Sequence, residues 1–460
     1  MKIISEIDEN KFKEIVYTFF ENINDIVKIT NKSDDENILI EFENDNKKYT
    51  FKNEILFDRE KQIQAMTKGG LLNLYGIKND WGALVGMRPT KLVHKFLAEG
   101  KSYTNIEEIL KKVYLLNDNK IKLLIDIVKN QIEYIDKDTV ALYIGIAFCP
   151  TKCTYCSFPA YLKKGKYEKI YDLYIKTLNE EIKLMGDLLK KLDVKINSIY
   201  IGGGTPSFLS YDELEELLSN VSSNFNLEYL KEYTFEAGRI DTIDYEKLKL
   251  LKSFFVDRIS INPQSFKEST LKRVNRYHSI EKLNEVYKMA KDLNFIINMD
   301  YILGLPLETT EDILNTIEKM SEYDAKNITI HNLALKKASY LTKNKYELDS
   351  EKIDFKKVYE KIYEYADKNG YIPYYMYKQK KSYGENIGFC KKESQSIYNI
   401  DMIEENKNVF SIGAGSITKL IKKDEIKRIV MPKDPIMYVN EFKDRIEKKI
   451  ADILDFYEQE

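Results

Sequence analysis

Three of the four cysteines in this chain of 460 residues fall within eight positions, Cys149-Pro150-Thr151-Lys152-Cys153-Thr154-Tyr155-Cys156, and the fourth, Cys390, lies far downstream. The apolar run Leu142-Tyr143-Ile144-Gly145-Ile146-Ala147-Phe148 leads into them. Free cysteines are ordinarily dispersed core residues, so this clustering asks for a chemical reason. Disulfides are disfavoured, because no export signal precedes the cluster and a chain this long builds a core without covalent staples. Structural zinc closes its shell with four ligands, often as two CxxC pairs, and no second pair occurs. Three thiolates at CxxxCxxC spacing suit three corners of a 4Fe–4S cluster and leave one iron without a protein ligand.

Composition narrows the partners. The 72 basic and 74 acidic side chains nearly cancel, to a formal charge of −2, which leaves no electrostatic footprint for nucleic acid. Only eight of the basic residues are arginine, among them Arg239, Arg258, Arg273 and Arg276. Arginine presents a planar fork that lysine cannot copy, so these few point to geometry-dependent contacts. No stretch approaches the roughly 18 apolar residues that span a bilayer, and Met1-Lys2-Ile3-Ile4-Ser5-Glu6 does not resemble an export signal. The expected location is the cytoplasm, and an open iron implies reducing, low-oxygen surroundings.

The pattern along the chain predicts an N-terminal α+β domain over 1–137. It has a helix over 8–24, a hairpin of 38–42 and 49–51 around Asn44-Asp45-Asn46, and helices from about Gln62. From Val140 short apolar strands alternate with amphipathic helices, which argues for a parallel sheet with covering helices. Strands are expected at 141–146, 198–201, 232–236, 258–261, 296–301 and 327–332, and they make a partial (β/α)6 barrel over 138–370. A C-terminal α+β extension follows over 371–460. In such a barrel the catalytic face lies at the C-terminal ends of the strands. Those ends carry the cysteine loop, Gly202-Gly203-Gly204-Thr205-Pro206, Glu236, Gln264, Asp300 and His331. Glu236 closes an apolar strand, where an unpaired carboxylate is costly, so it serves either a cationic ligand or nearby Arg239. His94 reads as an ordinary surface or core histidine, and His278 as a rim residue.

The cysteine spacing, with an aromatic residue between the last two, resembles that of the radical S-adenosylmethionine (radical SAM) enzymes. Their cluster binds S-adenosylmethionine at the open iron and cleaves it to a 5′-deoxyadenosyl radical. The fold class implied is a partial radical-SAM barrel. The resemblance makes Cys149, Cys153 and Cys156 the iron ligands. It makes Tyr143, Tyr155, Gly203, Gly204, Thr205, Glu236, Gln264, Arg276, Asp300 and Ala334 the S-adenosylmethionine contacts. No side chain is assigned as catalytic, since the radical derives from the cofactor.

Further motifs look like the HemN/HemZ/HemW group, and its HemZ branch most. They are Trp81-Gly82-Ala83-Leu84-Val85-Gly86-Met87-Arg88-Pro89-Thr90-Lys91-Leu92, Glu236-Ala237-Gly238-Arg239, Ile330-His331-Asn332-Leu333-Ala334-Leu335 and Tyr377-Lys378-Gln379-Lys380, within roughly residues 80–420. The resemblance implies oxidative decarboxylation of coproporphyrinogen III to protoporphyrinogen IX, with a reduced flavodoxin or ferredoxin-type electron donor. It also implies that the C-terminal region closes the open side of the barrel. There the tyrosines of Tyr374-Tyr375-Met376-Tyr377 would suit a planar tetrapyrrole, and lysines such as Lys378 its propionates. One departure stands out. HemN-type oxidases carry a further cysteine where this chain has Phe158, a trait shared with the HemW haem chaperones. Haem carriage, and ring opening or methylation of haem, are the alternative readings.

Overall fold

The computed structural model describes residues 2–5, 7, 8, 10, 16, 19, 20, 23–336, 339–344, 352–379, 384–422 and 425–458. Most of the helix expected over 8–24 lies outside the described residues, as do Lys380 and Lys381. The chain divides into two compact units, Met1–Lys129 and Asn130–Glu460.

In the first unit, β1 (Lys2–Ser5), β2 (Ile26–Asn31), β3 (Asn37–Glu43) and β4 (Lys48–Glu54) form one sheet in that order. β3 and β4 are the expected hairpin, with Phe42 opposite Tyr49. Alternation along β3 buries Ile38, Ile40 and Phe42 on one face, as a period of two requires. Helix Arg59–Leu74 covers that face, and Gly70 leaves its Cβ space to the Phe42 ring. Helices Thr90–Ala98, Tyr103–Lys112 and Asp118–Gln131 complete the unit.

The second unit is built on six parallel strands. They are β5 (Val140–Ile146), β6 (Ile196–Gly203), β7 (Glu232–Glu236), β8 (Arg258–Ser260), β9 (Ile296–Leu303) and β10 (Asn327–Asn332), paired in sequence order. Helices Lys166–Lys191, Tyr211–Asn224, Tyr245–Ser253, Ile280–Asp292 and Thr310–Lys319 connect them, and Phe355–Lys368 follows. β5 and β7 are buried along almost their whole length, as parallel strands covered on both faces must be. Ser210 and Glu213 close a capping box on the helix after β6, and Thr309 and Asp312 do the same after β9.

The C-terminal segments enlarge this sheet at both edges. β11 (Ile372–Lys378) and β12 (Glu385–Cys390) add antiparallel strands beyond β10. β13 (Val409–Ile412) pairs parallel with β5 and carries β14 (Ile417–Lys422) and β15 (Glu425–Val430), so the sheet has eleven strands among the described residues. A flat sheet would hold β5 and β10 about 24 Å apart, five spacings of ~4.8 Å. Residues of both strands nevertheless line one cavity, so the sheet is curled as a partial barrel is. One placement differs from expectation: β9 runs on to Leu303, so Asp300 lies within the strand and not at its end. Among the described residues, no helix is long and apolar enough to cross a membrane.

Candidate active site

The cysteine loop leaves β5 and is pinned from several sides. Cys149 N–H donates to the Tyr161 carbonyl (2.9 Å), and Thr154 N–H to the Val274 carbonyl (3.2 Å). Asn275 Nδ2 donates to the Lys152 carbonyl (3.2 Å) and Thr151 Oγ1 to the Asn275 carbonyl (3.1 Å). Cys149 and Cys153 are buried and Cys156 half-buried. Thr205 Oγ1 donates to Cys149 Sγ at 3.2 Å, and Arg239 Nη1 to Cys153 Sγ at 3.6 Å. Burial pushes the Cys149 thiol up to about 12 and raises Cys156 as well. Ionised sulfur at these positions therefore needs a positive centre to compensate it. Among the described residues, no three His, Cys, Asp or Glu groups are disposed around a single ion. A cluster distributes its thiolate ligands over different irons, which suits three cysteines spread along a loop. Cys390 packs with Tyr374, Tyr375 and Ile400 and does not line the site.

All thirteen residues expected at the metal and cofactor site line one cavity of about 730 Å³: Tyr143, Cys149, Cys153, Tyr155, Cys156, Gly203, Gly204, Thr205, Glu236, Gln264, Arg276, Asp300 and Ala334. The volume is that of an ordinary ligand pocket. After β6 the chain turns at Gly203 with φ +109°, and Gly204 N–H donates to the Ile146 carbonyl at 2.6 Å. A Cβ on Gly204 would stand 2.6 Å from the Phe148 carbonyl oxygen and 3.0 Å from Cys149 Sγ. Glycine is needed there for close approach.

Glu236 closes β7 and accepts hydrogen bonds from Tyr200 Oη (2.5 Å) and Gly203 N–H (3.1 Å). Desolvation carries its ionisation up to about 7. The bonds from Tyr200 and Gly203 oppose that rise, and the Asp300 charge adds to it. The alternative partner, Arg239, goes elsewhere: its guanidinium grips Asp241 through Nε (2.9 Å) and Nη2 (2.7 Å). Burial works to raise Asp300 too, yet His331, Asn298 and Thr329 hold it below its ordinary value. Asn298 Nδ2 lies 2.8 Å from it and His331 Nε2 3.8 Å. Gln264 is held at φ +66° by backbone bonds to Asp300 and Ile302, and its Oε1 is buried without a hydrogen-bond partner among the described residues. A buried amide oxygen left open on a cavity wall is what a ligand donor would satisfy. Arg276 Nη2 grips the carbonyls of Gly238 (2.6 Å) and Asn262 (2.7 Å), which joins the loops after β7 and β8.

Two lining residues, Tyr200 and Tyr398, are not among those expected from the sequence. Tyr143, Tyr200 and Tyr398 stack with interplanar angles of 18–22°, and Tyr200 and Tyr398 have ring centroids 4.3 Å apart. The inward position of Tyr200 on β6 follows from alternation with Gly202. Tyr398, on the helix Ile397–Glu404, has no comparable signal. His331 Nδ1 meets Tyr377 Oη at 3.1 Å, and Tyr375 also lines the cavity, so β11 supplies part of one wall. His278 is not among the lining residues.

Residues 143–320 match the profile of the Radical SAM superfamily. The chain is 38% identical over 415 residues to the oxygen-independent coproporphyrinogen-III oxidase-like protein HemZ of Bacillus subtilis (strain 168), across 87% of this chain and 83% of that one. It is 32% identical over 280 residues to the heme chaperone HemW of Lactococcus lactis subsp. lactis (strain IL1403), across 60% and 68%. In fold it resembles the coproporphyrinogen III oxidase HemN from Escherichia coli, a radical SAM enzyme, with a TM-score of 0.54 at 17% identity over 68% of this chain and 72% of that one. The cysteine loop, the curled parallel sheet and an identity that runs nearly end to end agree: this chain belongs to the radical SAM superfamily and, within it, to the HemN/HemZ/HemW family.

Proposed function

We propose that this chain is a radical SAM enzyme that converts two propionates of coproporphyrinogen III to vinyl groups, giving protoporphyrinogen IX, in the cytoplasm and under low oxygen. The observation that carries the reading is the 38% identity to the HemZ-type relative across 87% of this chain, against 60% for the HemW relative. Together the cluster and S-adenosylmethionine supply, when bound, the power to remove a hydrogen atom from a propionate β-carbon. Loss of that atom, of carbon dioxide and of one electron, which passes to an external one-electron acceptor, turns each propionate into a vinyl group. A reduced flavodoxin or ferredoxin-type protein is the proposed electron source.

The chain's own part is binding, orientation and exclusion of water. Cys149, Cys153 and Cys156 would hold three irons, with Thr205 and Arg239 donating to two of the sulfurs. Gly203 to Thr205, Glu236, Gln264 and Asp300, which line the same cavity, would offer a glycine turn, carboxylates and an open amide oxygen to the cationic sulfonium and ammonium of S-adenosylmethionine. Tyr375, Tyr377 and His331 would face the tetrapyrrole.

A second reading, haem carriage, is favoured by Phe158, which lines the cavity and is 59% exposed where HemN-type oxidases have a cysteine. The deciding experiment supplies the anaerobically reconstituted, reduced protein with S-adenosylmethionine, a one-electron acceptor and coproporphyrinogen III, and in parallel with S-adenosylmethionine and haem. The expected result is a divinyl product with two equivalents of 5′-deoxyadenosine per porphyrinogen. Stoichiometric haem binding without porphyrinogen turnover would establish the carrier instead. Loss of haem absorbance with cofactor consumption would establish a haem-modifying enzyme.

A further inference from the structure

The segment after β7, Glu236-Ala237-Gly238-Arg239-Ile240-Asp241, holds a second charged group that binding of S-adenosylmethionine does not account for. Arg239 is only 5% exposed, and its guanidinium is fixed on every edge. Nε and Nη2 meet the two carboxylate oxygens of Asp241 at 2.9 and 2.7 Å. The remaining nitrogen, Nη1, is turned toward the cysteine loop, 2.9 Å from Thr151 Oγ1, 3.5 Å from the Asn275 carbonyl and 3.6 Å from Cys153 Sγ. Thr151 is itself tied to the Asn275 carbonyl. The fork has no alternative orientation that keeps these bonds.

We propose that Arg239, oriented by Asp241, is a positioning residue that sets the reduction potential of the cluster held by Cys149, Cys153 and Cys156. This rests on the reading of those cysteines as iron ligands. Reduction adds one negative charge to the cluster, and a guanidinium that stays protonated at any working pH stabilises that charge. Its nearness in a buried site makes the effect far larger than in water. Hydrogen bonds to cluster sulfurs act in the same direction. Asp241 works against it, but from the far side of the guanidinium and 31% exposed, so its field at the cluster is weaker. Arg239 therefore raises the potential, and Asp241 holds Arg239 in place while lowering the potential by a smaller amount.

The electrostatic role has a signature that a mere loop tether lacks: the two partners shift the potential in opposite directions. The experiment uses the full chain, reconstituted anaerobically without S-adenosylmethionine. Iron and sulfide content are measured first, and reductive titration is followed by electron paramagnetic resonance. With iron content unchanged, Arg239→Gln is expected to lower the ratio of reduced to oxidised cluster about tenfold at the wild-type midpoint, which is 59 mV for a one-electron couple. Asp241→Asn is expected to raise that ratio about threefold, and the double variant to fall between the two. Unchanged potentials in both single variants, or shifts of the same sign, would overturn the proposal. Should Arg239→Gln lose its iron, Asp241→Asn decides: a raised potential upholds the assignment and a wild-type potential ends it. A wild-type chain that assembles no cluster would refute the proposed function itself, a result distinct from an intact cluster whose potential does not respond.

Discussion

At Glu236 two hydrogen bonds and a neighbouring carboxylate contend over one proton. Tyr200 and Gly203 donate to it, while burial and Asp300 oppose its charge and carry its ionisation from 4.5 up to about 7. The folded chain thus holds this proton more tightly than the unfolded chain. The group's contribution to stability is present below about pH 4.5 and is lost as pH rises through 7. Glu236→Gln should remove that loss. Denaturant titration of the ligand-free protein at pH 8 is expected to show a gain of up to about 3 kcal/mol, and none at pH 4.5. Calorimetry with S-adenosylmethionine should show affinity reduced about tenfold, the cost of about 1.4 kcal/mol for one ionic hydrogen bond lost. A site that trades stability for a poised charge is a common compromise. The sequence places Glu236 at a strand end, but its partner could not be read there. Arg239 is three residues away along the chain, whereas Tyr200 lies on the adjacent parallel strand, opposite Thr234.

At the scale of the element, the turn after β6 matters more for what it lacks than for what it presents. Gly204 lies against the Phe148 carbonyl and Cys149 Sγ closely enough that a methyl group would displace one of them. Gly204→Ala should cost about 1–3 kcal/mol of local fit. Since the strand itself is unaffected, circular dichroism should keep its native form while iron retained after anaerobic reconstitution falls at least several-fold. Full iron content in this variant would show that the turn moves freely from the cysteine loop. The strands and helices of the barrel follow closely from apolar periodicity and caps, because each is a local pattern buried against its neighbours. β1 and β2 do not: Ile26–Asn31 is a short mixed segment whose extended form depends on pairing with β1 and β3.

At the scale of the larger unit, a buried ion pair links distant segments to the cavity wall. Lys449, in helix Phe442–Glu458, lies 2.8 Å from Glu181, in helix Lys166–Lys191, and both are nearly inaccessible to water. Glu181 also accepts from Tyr438 Oη (2.6 Å) and from Gly413 N–H (2.9 Å). Gly413 has φ +102° and begins the turn whose residues Ala414, Gly415 and Ser416 line the cavity. Lys449→Met would leave Glu181 buried and uncompensated, and should destabilise the unit Asn130–Glu460 by about 3–5 kcal/mol. Pairing it with Glu181→Gln should recover part of that loss, as a double-mutant cycle by chemical denaturation would measure. The sequence alone determined the cysteine loop, the six parallel strands and, Asp300 apart, their polar ends, because ligand spacing and apolar periodicity are local and survive without knowledge of the fold. Only the tertiary structure decided that Tyr200 and not Arg239 answers Glu236, that Arg239 turns to Cys153, and that β12 and β13 pair with the two edge strands β10 and β5. Those outcomes depend on strand register and curvature, which bring together residues that no spacing along the chain connects.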